Sequence, residues 1–461
     1  VSVRLYTSSW TICNIPIDSL TTNMHPSTRL PEITTSRGLL ALSPVAVFLC
    51  LYLVVSIAIG DFYKMPLSVA LLVASVWSIV IYRRGGTLVE RIETFSRSAG
   101  HANILYMIWI FILAGAFAAL AKEIGAIDAT VNFTLRFFPS QFIVPALFVA
   151  SCFISLSIGT SVGTVVALTP LAVEMANASG ACLPFYVAVV LGGAFFGDNL
   201  SFISDTTIAA TRSQGCQMAD KFKANLWICV PAAIITLLVY VVMSLGTPEV
   251  SVGDDANPVM ILPYIVVLVA AVMGVNVTVV LSLGIITALA LGLFYGHDII
   301  SLFGYMGTGI DSMGDLIIVT LLAAGMLGVI KAAGGIQYLL RVLTSRVSGL
   351  RGAQVCIAIL VAIVNLCTAN NTVAIITVGG ISREIGERYG VDPRKNASLL
   401  DSCACIVQCL IPYGAQTLLA SSLAGIAPAA PFVYLYYPWA LALMVVLSIV
   451  FLFPHRLHRM V

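Results

Sequence analysis

The feature that most constrains this chain is a succession of apolar runs too long and too poor in charge to fold in water. They fall near residues 39–60, 66–82, 102–121, 142–158, 183–197 and 224–245, then near 259–274, 275–296, 315–330, 353–367, 396–411 and 431–453. Inside lipid only helices and closed barrels satisfy every backbone N–H and C=O, and no strand-like alternation supports a barrel. The 461 residues are 59% hydrophobic and 10% charged, against about 25% charged in soluble domains, and mean hydropathy is +1.02. The expected fold class is an all-α polytopic membrane protein.

The remaining composition narrows the function. A net charge of +2 points to no nucleic-acid partner. Cysteines such as Cys50, Cys152, Cys229 and Cys356 sit inside apolar runs without a C-x-x-C pair, as small buried hydrophobes do. The histidines form no metal-ligand pair on one helix face, and no Ser/His, Cys/His or His-rich constellation supports a membrane-embedded enzyme. No Walker A string is present, so no cofactor is expected and an ion gradient is left as the energy source.

The chain divides into a polar tail (1–38), a first membrane unit (39–245), an external linker (246–258), a second unit (259–453) and a cytoplasmic end (454–461). Residues 1–23 read as sequence upstream of a natural start at Met24 or as a disordered tail, and the run at 39–60 as an uncleaved insertion signal. The two units repeat. Ala121-Lys122-Glu123-Ile124-Gly125-Ala126-Ile127 matches Ile330-Lys331-Ala332-Ala333-Gly334-Gly335-Ile336, and Thr160–Val165 falls against Thr368–Val373 at nearly the same offset. On that spacing Asp198 faces Cys409 and Asp205 faces Gln416. Links 83–101, 212–223, 331–352 and 383–396 are basic, with Lys221 and Lys395 among their charges. Links 246–258 and 297–314 hold no Lys or Arg. Positive-inside bias places the basic links and both termini in the cytoplasm, which makes the two repeats inverted in topology.

The chemistry gathers where apolar runs are interrupted. Gly197-Asp198-Asn199-Leu200-Ser201-Phe202-Ile203-Ser204-Asp205-Thr206-Thr207 follows an uncharged run. Acids within lipid cost several kcal/mol and are functional candidates by default. The Gly and hydroxyl content argues for a broken helix whose freed carbonyls join Asp198, Asn199, Ser201, Ser204, Asp205 and Thr206 as oxygen ligands. Oxygen alone suits Na⁺ or H⁺, with Asp198 and Asp205 as the metal-binding carboxylates. Asp205 is the preferred competitor because Ser201, Ser204 and Thr206 crowd it. The short runs before and after Gly159-Thr160-Ser161-Val162-Gly163-Thr164 favour a re-entrant hairpin over two full crossings, with Thr160, Ser161 and Thr164 at the tip. Its partner hairpin offers Asn370, Asn371 and Thr372, followed by a second interrupted helix with Asp401 and Gln416. Asp401 reads equally as a helix start near the cytoplasmic surface.

The string GDNLSFISDTT, with Gly215-Cys216 after it, resembles the NhaC-type Na⁺/H⁺ antiporter family of the ion transporter superfamily, over roughly residues 39 to 453. Phe202 stands where that family often has Pro. The resemblance implies exchange of external H⁺ for internal Na⁺ at the cell membrane of a prokaryote. It also leaves the alternative of a sodium- or proton-coupled carrier of small organic anions of the malate and lactate type. Partners are then Na⁺, H⁺ and the lipid bilayer, with a homodimer left open.

Overall fold

Long apolar sequences bounded by Gly and Pro wind into helices, since a helix satisfies its own backbone bonds. The computed structural model describes residues 34–59, 66–127, 129–130, 142–201, 204–245, 257–273, 275–344 and 347–453. Most of the expected tail 1–38 and linker 246–258, and the end 454–461, lie outside the described residues. The described residues are helical without strands, and nine stretches are long and apolar enough to cross a membrane.

The first half holds α1 (Thr35–Ile59), α2 (Leu67–Ile81), α3 (Leu88–Ala99), α4 (Ala102–Glu123), α5 (Ile143–Ile158), α6 (Ser161–Ser179), α7 (Leu183–Leu200), α8 (Asp205–Gln214) and α9 (Met218–Ser244). The second holds α10 (Leu262–Val272), α11 (Val277–Phe294), α12 (Ile299–Ser312), α13 (Gly314–Ala332) and α14 (Gly335–Thr344). It closes with α15 (Gly349–Thr368), α16 (Asn371–Tyr389), α17 (Pro393–Leu410), α18 (Ala415–Ala424) and α19 (Tyr436–Val450). The boundaries of α6, α7 and α8 recur at one constant spacing in α16, α17 and α18. Both α8 and α18 stop at a left-handed glycine, Gly215 and Gly425, followed by matching bonds from Cys216 N to Thr211 O and Ile426 N to Ser421 O.

Packing is swapped between the halves. Helix α3 lies on α13, while its counterpart α12 lies on α4. Helix α8 packs against α16, and its counterpart α18 against α6. Such reciprocal exchange is what a two-fold relation between repeats produces. The corresponding links differ in charge, basic at 83–101 and free of Lys and Arg at 297–314, which is the asymmetry expected of inverted repeats under positive-inside bias.

Four expectations need correction. The link 297–314 contains α12, because Asp298 caps Ile300 N and Ser301 N and because Gly309 lets α12 touch α4 at Gly115. A Cβ on Gly309 would stand 2.1 Å from Gly115 O. The link 83–101 contains α3, started by a Thr87–Glu90 capping box. Its apolar Leu88, Val89 and Ile92 are exposed beside a charged face, as on a helix lying at a membrane surface. Lys221 and Lys395, counted with the cytoplasmic charge, are fully buried. Finally, the helix boundaries set a different repeat register: Thr160 corresponds to Asn370, Asp198 to Gln408, and Asp205 to Ala415. Cys409 and Gln416 are displaced by one position from the roles the sequence spacing gave them.

Candidate functional site

Helix α5 ends at Gly159 in the left-handed region (φ 73°), Thr160 is extended, and α6 starts at Ser161. The second hairpin turns the same way through Ala369 (φ 48°) and Asn370. Each tip therefore presents the free N–H groups of a helix start, an arrangement that attracts negative charge. Asp198, in the last turn of α7 and 4% exposed, meets the first tip. Ser161 N donates to its Oδ1 at 2.9 Å, and Ser161 Oγ donates to its Oδ2.

The chain of bonds continues into the other repeat. Gln416 Nε2 donates to Ser161 Oγ at 3.0 Å, Gln408 Nε2 donates to Gln416 Oε1 at 3.0 Å, and Gln408 Nε2 also donates to Ala369 O at 3.0 Å. Both tips and both helix breaks are thus joined through side chains. Between them lies a cavity of about 120 Å³, closed on a further side by Tyr106, Met107 and Ile110 of α4. Thr160, Ser161, Asp198, Asp205 and Thr206 line it from the first half; Asn370, Asn371, Thr372 and Gln416 line it from the second.

Asp205 is placed differently from Asp198. It is the first residue of α8, its side chain is exposed, and its carboxylate has no hydrogen-bond partner among the described residues. The hydroxyls expected to crowd it serve the broken backbone instead. Ser204 Oγ and Thr206 Oγ1 donate to Asp198 O at 2.9 and 3.3 Å, and Ser201 Oγ donates to Leu156 O at 3.3 Å. A helix that stops inside the protein leaves carbonyls that must find donors, and nearby hydroxyls are the cheapest supply. Thr164 is buried one turn into α6 and donates to Thr160 O. At the second tip, Asn370 Oδ1 caps Val373 N and Asn371 Oδ1 accepts from Thr372 N, so each amide oxygen already serves the backbone.

Asn199 and Asp401 belong to a second cluster away from the cavity lining. Lys221 Nζ sits 2.9 Å from Asp401 Oδ2, both side chains 0% exposed. It also donates to Asn199 O and Thr207 Oγ1, each at 2.7 Å. Asn225 Nδ2 donates to Asn199 O and Asp401 Oδ2, and Tyr437 OH to Asn199 Oδ1. Asp401 is therefore a buried mid-helix acid bound to a lysine, not an interfacial one. Sequence reasoning missed Lys221 and Asn225 as site residues. The signal was present: Lys221 and Asn225 are four apart, one face of a helix entering an apolar run.

A model of the Na⁺/H⁺ antiporter family matches residues 19–245 and 255–454. The Malate-2H(+)/Na(+)-lactate antiporter of Bacillus subtilis is 22% identical over 441 residues, which cover 88% of this chain and 93% of that protein. The Na(+)/H(+) antiporter NhaC of Alkalihalophilus pseudofirmus is 25% identical over 403 residues, covering 78% and 84%. Among solved structures, the Alcanivorax borkumensis YdaH transporter aligns at 13% identity and a TM-score of 0.41 over 90% of this chain and 98% of its own. With both repeats matched, this multi-pass membrane protein belongs to the Na⁺/H⁺ antiporter family.

Proposed function

We propose that the chain exchanges Na⁺ for H⁺ across the cell membrane by alternating access, with Asp198 as the carboxylate that carries either ion. The observation behind this reading is the convergence of both hairpin tips and both helix breaks on one small cavity with Asp198 in its wall. Its volume of about 120 Å³ matches about four waters, or a cation that keeps part of its hydration. Every polar group lining it offers oxygen or amide, the donor set of a hard cation.

An ionised Asp198 uses Ser161 N–H and O–H as partners. A proton or a Na⁺ neutralises it, and a neutral site moves between the two sides at lower cost than a bare buried charge. One carboxylate cannot hold both ions, so inward movement of H⁺ is tied to outward movement of Na⁺. Asp205, at the cavity wall and without a hydrogen-bond partner among the described residues, acts as an accessory carboxylate at the approach. The basic links define the cytoplasmic face, and both termini lie there.

A second reading, exchange of organic anions, draws on the malate and lactate named for the Bacillus subtilis relative. Among the described residues no Lys, Arg or His lines the cavity, which disfavours a carboxylate substrate. The test is Na⁺-driven proton flux in proteoliposomes, with and without malate, for the wild type and Asp198→Asn. Flux from the wild type with Na⁺ alone, absent in the variant, supports cation exchange. Flux that requires malate overturns it.

A further inference from the structure

The break between α7 and α8 frees two successive carbonyls, and they are satisfied in different ways. Asp198 O accepts neutral hydroxyls, from Ser204 and Thr206. Asn199 O accepts the ammonium of Lys221 and the amide of Asn225. The three N–H bonds of Lys221 are all used, on Asn199 O, Thr207 Oγ1 and Asp401 Oδ2. A backbone carbonyl at the negative end of a helix, a hydroxyl and a carboxylate form a donor set for a monovalent cation.

The symmetric place in the second repeat has no such charge. Under the register of the helix boundaries Thr207 corresponds to Thr417, whose buried hydroxyl has no hydrogen-bond partner. Helix α19, the counterpart of α9, contains no basic residue. The ammonium is therefore not a requirement of the broken-helix architecture. It is a feature of one repeat, matched to the single buried acid that α17 brings across.

We propose that Lys221 is a resident cation, occupying a site built from Asn199 O, Thr207 Oγ1 and Asp401 that would otherwise take a second Na⁺. By holding that site it removes Asp401 from exchange and limits the transported load to the cavity beside Asp198. The inference rests on Na⁺ being the ion bound at Asp198.

The experiment compares wild type, Lys221→Gln and the double variant Lys221→Gln/Asp401→Asn as purified full chains. Radiolabelled Na⁺ binding at alkaline pH gives ions per chain, and melting is followed in NaCl against choline chloride at equal ionic strength. The expected counts are one Na⁺ for the wild type, two for Lys221→Gln and one for the double variant. Lys221→Gln should also show a larger upward shift of melting temperature with Na⁺ than the other two. A lysine that merely clamps the helices predicts instead that Lys221→Gln loses stability equally in both salts and binds no additional ion, which would overturn the proposal. Failure of Lys221→Gln to fold even in NaCl overturns it as well, because Na⁺ then cannot take the ammonium's place. A wild type that binds no Na⁺ removes the exchange reading itself, and this inference with it.

Discussion

Replacing Gly197 with Ala should separate the first hairpin tip from Asp198 without altering any polar group of the site. A Cβ there would stand 2.2 Å from Ser155 Cβ and 2.5 Å from the Ser155 carbonyl carbon, where ordinary contact begins at 3.4 Å. The backbone carbon cannot rotate away, so α7 must retreat from α5 by about 1 Å. The tip follows α5, whereas Asp198 follows Gly197. The Ser161 N to Asp198 Oδ1 distance, now 2.9 Å, then passes beyond hydrogen-bond range. Losing two hydrogen bonds to an ionised group, at about 1.5 kcal/mol or more each, removes about 3 kcal/mol, a factor of about 100 in the seated population. Na⁺-driven proton flux in proteoliposomes should fall by about that factor, with a lower melting temperature in detergent. Gly193→Ala is the control: its Cβ would stand 2.4 Å from Ser151 Cβ, one turn farther from the break. It should lower the melting temperature while sparing more of the exchange. Wild-type flux and melting from Gly197→Ala would refute the geometry of the tip.

Asp205→Asn should raise the half-saturating Na⁺ concentration without abolishing exchange, whereas Asp198→Asn abolishes it; equal losses in a flux titration would put the two acids on the same footing. Asp401→Asn leaves the buried Lys221 ammonium without its carboxylate and should cost about 3–5 kcal/mol, read as a lowered melting temperature. Asn370→Ala removes the cap on Val373 N and should destabilise by about 1 kcal/mol, with Asn370→Asp restoring it. Cysteine labels placed at Asp311 should react from outside the cell and labels at Arg394 only after permeabilisation; reaction of both from one side would remove the inverted relation.

The class of fold was open to reading because length, apolarity and charge-poor runs leave few structures that satisfy a backbone in lipid. The hairpin tips were legible at Gly159–Ser161 and Asn370–Asn371 because Gly and N-cap residues mark where helices begin and end. Register was harder. Apolar residues substitute freely for one another, so an alignment can slide by one or two places until cap residues such as Gly215 and Gly425 fix it. The crowding expected around Asp205 is not seen, for a related reason. Counting neighbours in sequence credits Ser204 and Thr206 to the adjacent acid, but in a broken helix the nearest claimants are freed carbonyls. Lys221 was misplaced because a lysine beside Lys223 at the start of a helix looks cytoplasmic until its partner, 180 residues away at Asp401, is known.

The two repeats hold their tips by different chemistry, and that difference can be exchanged. Asp198 grips the first tip as an acceptor, so under the proposed exchange its hold on Ser161 would change with each proton or Na⁺ taken up. Gln408, at the matching position, grips the second tip as a donor, giving N–H to Ala369 O and Gln416 Oε1. An amide does not titrate, so this half of the site keeps one set of bonds in every loading state. Gln408→Glu would carry the titrating behaviour into the second repeat. While protonated, the introduced carboxyl has one O–H where the amide has two N–H bonds, so it keeps one of the two donations; once ionised it keeps neither and sets oxygen against Ala369 O and Gln416 Oε1. The variant should then melt below the wild type at acid pH, where one acceptor has lost its donor, and fall further as pH rises, by about 1–3 kcal/mol for the second buried acceptor left unpaired. Melting curves of both proteins across a pH series read this difference directly. A variant that stays parallel to the wild type at every pH would mean that Gln408 does not hold the second tip, and that the asymmetry between the repeats has another origin.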